Sequence, residues 1–235
     1  MMMRFLSIIF FLVVFLSCKK DNSVPEKIDL GYNYFPIKIG QSLVYDVDSV
    51  AYLQPSGDTI IEKFRIKESI ESLYKDNQNR DTYKLVRYKK KYQVGVSYDQ
   101  MDWILQDVWS VNLTTKTVEI NEENQRFIKL IFPVEKNSTW NGNAQNSIGE
   151  WKYKYTDVHQ PLSLNGLQYD STLTVTQYKE STAIYYKNYT EQYAKGVGMI
   201  YKEVSDYTFK VVNGILFPGK ISEGVIYKMK LVERQ

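Results

Sequence analysis

The strongest constraint on this chain is a two-residue alternation of apolar and polar side chains, which recurs in short segments from about residue 34 to the C-terminus. In the first such segment, residues 42–53, one face of an extended strand collects four side chains: Leu43, Tyr45, Val47 and Ser49. Ile60, Phe64 and Ile66 keep the same period in the next segment. Alternation of this kind predicts half-buried strands rather than helices. The 20 tyrosines of the chain point the same way, because aromatic residues favour strands.

Turn signals separate these segments, and the clearest are Asn-Gly at 165–166 and at 213–214, since both residues tolerate a positive φ. Further strands are predicted at 82–90, 92–98, 103–112, 117–121, 126–132, 150–158, 168–177, 183–193, 199–210 and 224–233. Two stretches, 66–73 and 182–194, are also compatible with helices. About ten strands are too many for one flat open sheet. We therefore predict an all-β, mainly antiparallel fold, a single curved meander sheet that forms a half-barrel or closes into a barrel.

Composition excludes several classes of site. The chain has one cysteine and one histidine, which rules out an intrachain disulfide, a Cys/His zinc cluster and a site with several histidines. The formal net charge is only +3, which argues against a nucleic-acid partner. No motif indicates a cofactor. No linker or repeat follows residue 30, so we predict one β domain over residues 31–235.

The first seventeen residues have the parts of a secretory signal peptide. Arg4 supplies the positive start, and residues 5–16 are apolar except for Ser7. As a helix these twelve residues rise about 18 Å, too little for a hydrocarbon core of about 30 Å. We predict a cleaved signal peptide over residues 1–17. The alternative is a buried N-terminal helix or strand.

The sole cysteine ends this apolar run, as Phe15-Leu16-Ser17-Cys18. This resembles the lipobox of bacterial lipoproteins, with Phe15 where leucine is usual. The resemblance implies cleavage before Cys18, attachment of diacylglycerol to its thiol, and a flexible tether over residues 18–30. Lys19-Lys20-Asp21 resembles the export signals of surface lipoproteins in Bacteroidetes. Together these features imply a lipid-anchored protein of the outer membrane, facing either the periplasm or the cell surface.

Three passages resemble uncharacterised lipoproteins of Bacteroidetes, and they are similar to motifs of the lipoprotein-carrier fold. They are residues 34–40 (YFPIKIG), residues 126–143 with FPV and TWNGN, and residues 193–203 (YAKGVGMIYKE). The resemblance implies a curved antiparallel sheet that can shelter acyl chains. Physical chemistry predicts structural roles for the same residues: Pro133 ends a strand, Trp140 covers one end of the core, and Gly196 and Gly198 form a tight turn.

The ionisable residues provide few candidates for catalysis. His159 is predicted at a strand end without a nucleophile turn nearby, and it is interpreted as a surface histidine. Carboxylate pairs that could bind a cation or act as a glycosidase pair are Asp46/Asp48, Asp99/Asp102 and Glu122/Glu123. The run Lys89-Lys90-Lys91 is interpreted as a protected edge strand, with binding to anionic lipid or polysaccharide as the alternative. No catalytic constellation is visible, and we predict that the protein is not an enzyme.

These observations leave three hypotheses for the function. The first is a binding or carrier module for an apolar or lipid-like ligand. The second is an accessory lipoprotein that acts through protein contacts in the envelope, with a filled core. The third is a polysaccharide or lipid hydrolase, which would require convergent carboxylates or an activated nucleophile in a cleft.

Overall fold

The computed structural model of the protein describes residues 28–235, which form an almost entirely β structure. Short 3-10 helices lie at Tyr32–Tyr34 and Tyr98–Gln100. The strands are β1 Ser42–Tyr52, β2 Thr59–Lys75, β3 Asp81–Lys91, β4 Ile104–Leu113, β5 Thr117–Glu122, β6 Gln125–Ile131, β7 Thr139–Asn141, β8 Lys152–Leu164, β9 Leu167–Ser181, β10 Tyr185–Ala194, β11 Gly198–Val212 and β12 Ile215–Arg234. The all-β prediction is confirmed.

The twelve strands form one nearly closed, barrel-like sheet in the order β6-β5-β4-β3-β2-β1-β12-β11-β10-β9-β8-β7. Every neighbouring pair is antiparallel. The first and last strands pair with each other in the middle of the sheet, where Val47 lies opposite Met229. The two free edges are therefore β6 and β7, half-way along the chain. Within the described residues, no helix is long and apolar enough to cross a lipid bilayer.

The free edges meet at a seam that few backbone hydrogen bonds close. The N–H of Ile128 donates to the carbonyl of Gly142 at 2.9 Å. The indole N–H of Trp140 donates to the carbonyl of Ile128 at 2.7 Å, and the hydroxyl of Tyr155 bonds the backbone of Ile131. Trp140 therefore joins the two edges, in addition to packing on the core as predicted.

One end of the sheet is closed by residues 30–37, which we call the plug. Within the plug, the carbonyl of Leu30 accepts the N–H of Val134, and the carbonyl of Asn33 accepts the N–H of Gly196. Tyr34, which belongs to the plug, is fully buried. Because these partners lie on opposite sides of the lumen, the plug spans that end of the interior.

The interior is apolar next to the plug and charged farther in. Two apolar clusters form the core, one around Leu130 and Tyr155 and the other around Ile66 and Met229. Beyond the first cluster, inward positions of seven strands carry ionisable side chains. They are Glu68, Arg87, Asp107, Glu122, Lys129, Glu191 and Lys202.

Several local predictions need correction. Residues 92–98 are not a strand: Gln93 and Val96 form an isolated bridge around a turn in which Gly95 has φ 77°. The run Lys89–Lys91 belongs to β3, an interior strand that pairs with both β2 and β4, so the interpretation as an edge strand is wrong for β3 as a whole. Lys90 and Lys91 lie past the last β4 partner and pair with β2 alone. The alternative helices at 66–73 and 182–194 are also wrong, because β2 and β10 are extended there. The three-residue β7 was not predicted.

Candidate functional site

The candidate site is a cavity of about 60 Å³ between the plug and the charged part of the lumen. Most of its wall is apolar and comes from the plug and five strands: Phe35, Ile37, Leu43, Ile70, Leu85, Ile120 and Met199. Its polar wall consists of Glu68, Glu122 and Lys129, with Gln41 beside the plug. The cavity is therefore amphiphilic, with an apolar body and a charged side.

The three passages singled out in the sequence meet at this cavity. Phe35 and its neighbours come from the first passage, Lys129 from the second, and Tyr193 and Met199 from the third. The passages are separated along the chain by 85 residues (41–125) and 49 residues (144–192), and only the curvature of the sheet brings them together. The structural roles predicted for these passages are therefore incomplete, since residues of all three passages also line one cavity.

Lys129 is the centre of the charged wall. Its Nζ lies 2.7 Å from a carboxylate oxygen of Glu122 and 2.9 Å from one of Glu191, and its side chain is 5% exposed. Lys202 approaches the same carboxylate of Glu191 at 3.5 Å, and the hydroxyl of Tyr193 donates to its other oxygen at 2.7 Å. Two ammonium groups thus share the buried carboxylate of Glu191.

The pKa values of these groups follow from burial and from their partners. Burial by itself raises the pKa of Glu191, but Lys129 and Lys202 outweigh burial and hold that pKa at about 2. Burial lowers the pKa of Lys129, whereas Glu122 and Glu191 more than compensate, so its pKa is raised. Both groups are therefore ionised over the physiological range, and the cluster is a fixed set of charges.

Arg87 organises the second part of the wall. Its guanidinium lies 3.1 Å from both Glu68 and Asp107 and stacks on the ring of Trp109, 4.0 Å from the centroid. Burial raises the pKa of Glu68 in spite of its ion pair with Arg87. Of the three acidic and basic side chains in the cavity wall, Glu68 is thus the one whose pKa is shifted against its charged form.

The volume limits what the cavity can hold. Sites for drug-sized ligands occupy about 300–1,000 Å³. A cavity of about 60 Å³ admits a few water molecules or a small apolar group. In this conformation it does not accommodate a whole acyl chain.

A second cluster joins the plug to β8 and β9. The hydroxyl of Tyr34 lies 2.8 Å from His159 Nδ1 and 2.7 Å from Ser171 Oγ. His159 is not at a strand end as predicted. It lies within β8 at an irregularity of the pairing with β9, where its φ is 56°. It is solvent-exposed, in line with the interpretation as a surface histidine. The cluster links a hydroxyl, a phenol and an imidazole, and it fixes the plug to the sheet.

The predicted carboxylate pairs do not form sites. Asp46 pairs with Arg65 at 2.7 Å and Asp48 with Lys63 at 3.8 Å, so each already has a cation. Glu122 faces the lumen, whereas Glu123 lies in the exposed turn after β5. Asp99, in the second 3-10 helix, and Asp102, in the loop before β4, are both exposed. In residues 28–235, no group of three or more Asp, Glu, His or Cys side chains could hold a metal ion.

The lysines of β3 have separate environments. Lys90 donates to the carbonyl of Tyr98 at 2.8 Å, and Lys91 pairs with Glu62 at 3.0 Å. Lys89 lies over the ring of Phe64, 3.7 Å from the centroid. They do not form a single basic patch.

Sequence reasoning missed most of the charged wall. Glu191 and Lys129 stand in strands of mixed composition, where a charged residue is normally assigned to the solvent face. The available signal was the alternation itself. In β10 it places Glu191 on the same face as Tyr193, a residue of the third passage. Cys18 and the predicted signal peptide lie outside the described residues.

No protein-family model matches the chain, and no curated protein matches it. Among solved structures, the chain is similar to a protein from Parabacteroides distasonis ATCC 8503 described as a candidate lipoprotein. The two are 12% identical, with 89% of this chain and 100% of that chain covered, and the TM-score is 0.32. A likeness at this TM-score supports no functional statement.

Proposed function

We propose that this chain is a lipid-anchored protein of the outer membrane, attached through Cys18, whose lumen binds a small apolar or lipid-like ligand. The observation that carries the binding role is the amphiphilic cavity at which the three passages meet. The anchor is supported by the position of the only cysteine, which follows Ser17 at the end of the largely apolar segment 5–16. The proposal includes no catalytic step and no cofactor.

The ligand chemistry follows from the two kinds of wall. Leu43, Ile70 and Met199 favour an apolar group, while Glu68 faces the same space. A ligand with a short apolar end and a hydrogen-bonding group satisfies both walls. A longer chain enters only if the plug moves, since Phe35 and Ile37 form part of the wall.

The binding role is tested by native mass spectrometry and solvent extraction of the Cys18→Ser chain purified from cells. The expected result is a co-purifying small amphiphile. The half-buried Leu43 lines the cavity, so Leu43→Phe should reduce the bound fraction several-fold. The matched control is Leu73→Phe on an exposed position of β2, which should leave it unchanged. A lumen that yields no ligand in any of these chains contradicts the binding role.

The anchor has an independent test. Cells fed an alkyne analogue of palmitate should label the unaltered chain and not Cys18→Ser. Membrane fractionation should place the labelled chain in the outer membrane, and protease treatment of intact cells reports which side it faces. Equal labelling of both chains would contradict attachment at Cys18.

A second candidate function is an accessory lipoprotein that acts through protein contacts. It is favoured by the ion-paired lumen around Lys129, which resembles a filled core more than a container. Cross-linking in cells should then recover the same envelope protein repeatedly, with no dependence on Leu43→Phe. Recovery of no reproducible partner would weaken this alternative and leave the binding role.

A further inference from the structure

The hairpin formed by β11 and β12 extends beyond the rest of the sheet. β1 pairs with β12 only as far as Gly224, and β10 pairs with β11 only as far as Thr208. From Lys210 to Phe217 the two strands pair with each other, across the two-residue turn Asn213-Gly214. This part of the hairpin is a two-stranded ribbon without a strand on either side.

The tip of this ribbon is apolar on both faces. Val211 and Val212 are 47% and 42% exposed, and because they are consecutive in a strand they point to opposite faces. Across the turn, Ile215 is 63% exposed and Phe217 is 43% exposed. A two-stranded ribbon that packs against the sheet can bury at most one of its two faces, so such packing does not explain apolar side chains on both. Contiguous exposure of this kind marks an interaction surface.

The backbone of β12 just below the tip is poorly suited to adding another strand. The register shifts between Phe209 and Lys210, which leaves residues 218–220 (Pro-Gly-Lys) bulged opposite no partner. Proline, a bulge and an edge lysine each oppose strand addition. The tip thus exposes apolar side chains next to a backbone that does not favour β-pairing. This disfavours a second copy of the chain, or a strand of another protein, as its binding partner.

The charges and aromatic rings around the tip match a bilayer interface. Residues 209–221 contain two cations, Lys210 and Lys220, and no acidic residue. Neither lysine forms an ion pair among the described residues. Below them lie Phe209 and Tyr207, whose ring centroids are 5.6 Å apart, and Tyr186, stacked 5.4 Å from Tyr207. An aliphatic tip followed by lysines and aromatic rings is the order of groups at a membrane interface, where lysines reach the headgroups and aromatic rings sit beside them.

We propose that the tip of the β11–β12 hairpin, residues 209–221, inserts into the surface of a bilayer that contains anionic phospholipid. Val211, Val212 and Ile215 enter the acyl region, and Lys210 and Lys220 contact lipid phosphates. The tip lies at the end of the sheet opposite the plug, so this contact is separate from the N-terminal anchor.

The test uses the single-cysteine composition of the chain. In a Cys18→Ser background, Ile215→Cys is labelled with an environment-sensitive fluorophore and mixed with vesicles of phosphatidylcholine, with or without phosphatidylglycerol. Leu73→Cys, exposed at the opposite end of the sheet, is the matched control. The expected result is a blue shift at position 215 with phosphatidylglycerol vesicles, together with quenching by brominated acyl chains. The control position should show neither.

Two further variants in the labelled background separate the contribution of charge to vesicle binding from the contribution of the apolar side chains. Lys210→Glu with Lys220→Glu should lower the partition into phosphatidylglycerol vesicles about tenfold or more. Val212→Asp should abolish quenching by brominated chains. Circular dichroism verifies that each variant is folded. Equal signals at positions 215 and 73, or quenching that is unchanged in the charge-reversed and Val212→Asp chains, would overturn the proposal.

Discussion

The hydroxyl of Tyr155 lies 2.8 Å from both the amide nitrogen and the carbonyl oxygen of Ile131, so it accepts from one and donates to the other. Tyr155 belongs to β8 and Ile131 ends β6, on opposite sides of the seam. One side chain therefore satisfies two backbone groups that no neighbouring strand reaches. The ring is fully buried, and burial raises the pKa of its phenol, so the hydroxyl stays protonated and can donate.

Tyr155→Phe removes both hydrogen bonds and leaves the backbone groups of Ile131 unsatisfied. We expect a loss of about 1–3 kcal/mol in the free energy of unfolding. Amide exchange at Ile131 should accelerate, because its N–H loses its acceptor. The matched control is Tyr74→Phe, an exposed tyrosine at the far end of β2, which should change neither quantity. Unaltered exchange at Ile131 would contradict the seam as described.

Lys129→Met removes the cation between two buried carboxylates. Breaking a buried pair by deleting one partner costs about 3–5 kcal/mol, because the remaining charge is left uncompensated. Urea unfolding measures this loss. Lys63→Met is the control, since Lys63 is 63% exposed and its pair with Asp48 contributes at most about 1 kcal/mol. Equal effects of the two substitutions would show that Lys129 is not the centre of the charged wall.

The low pKa of Glu191 makes stability dependent on pH in the acid range. Its pKa is about 2 in the folded protein against an ordinary value of 4.5. The stabilisation from its ionised form is therefore present above about pH 4.5 and is lost as the pH falls toward 2. Unfolding free energies measured from pH 7 to pH 2 should fall less steeply in Glu191→Gln, whose amide cannot titrate. The same slope in both chains would contradict this role.

Gly142 lies at the seam where a side chain has no room. A Cβ added there would overlap the ring of Tyr153. We expect Gly142→Ala to destabilise the fold by about 1–3 kcal/mol, as for overpacking. Adding Tyr153→Leu should recover part of that loss, and a double-mutant cycle measures the coupling. Strictly additive effects would mean that the ring does not limit the site.

Local structure was largely predictable from the sequence. Alternation in residues 42–53 led to a correct strand, and the Asn-Gly turn at 213–214 is where predicted. The strand after that turn was predicted only from residue 224, whereas β12 begins at Ile215. Errors arose where a short-range pattern was ambiguous. Residues 92–98 alternate like a strand, yet Gly95 turns the chain back on itself. β7 spans only three residues, too few for any periodic signal.

The candidate site was much less predictable. The three passages were recognisable as motifs, but their shared cavity was not. Lys129 and Glu191 are 62 residues apart, and each looked like a solvent-facing charge in its own strand. Alternation reports which residues share a face of a strand. It does not report what that face meets across a lumen.

The sequence by itself determined the all-β class, most of the turns and the prediction of a lipidated Cys18, because each depends on residues close together along the chain. Only the tertiary structure decided that β1 pairs with β12, that the free edges are β6 and β7, and that charged residues face inward beside an apolar cavity. These features depend on closure of the sheet, which brings together residues that are far apart in the sequence. The physical reason is that a buried charge is acceptable only when its partner is in place, and only the closed sheet supplies that partner.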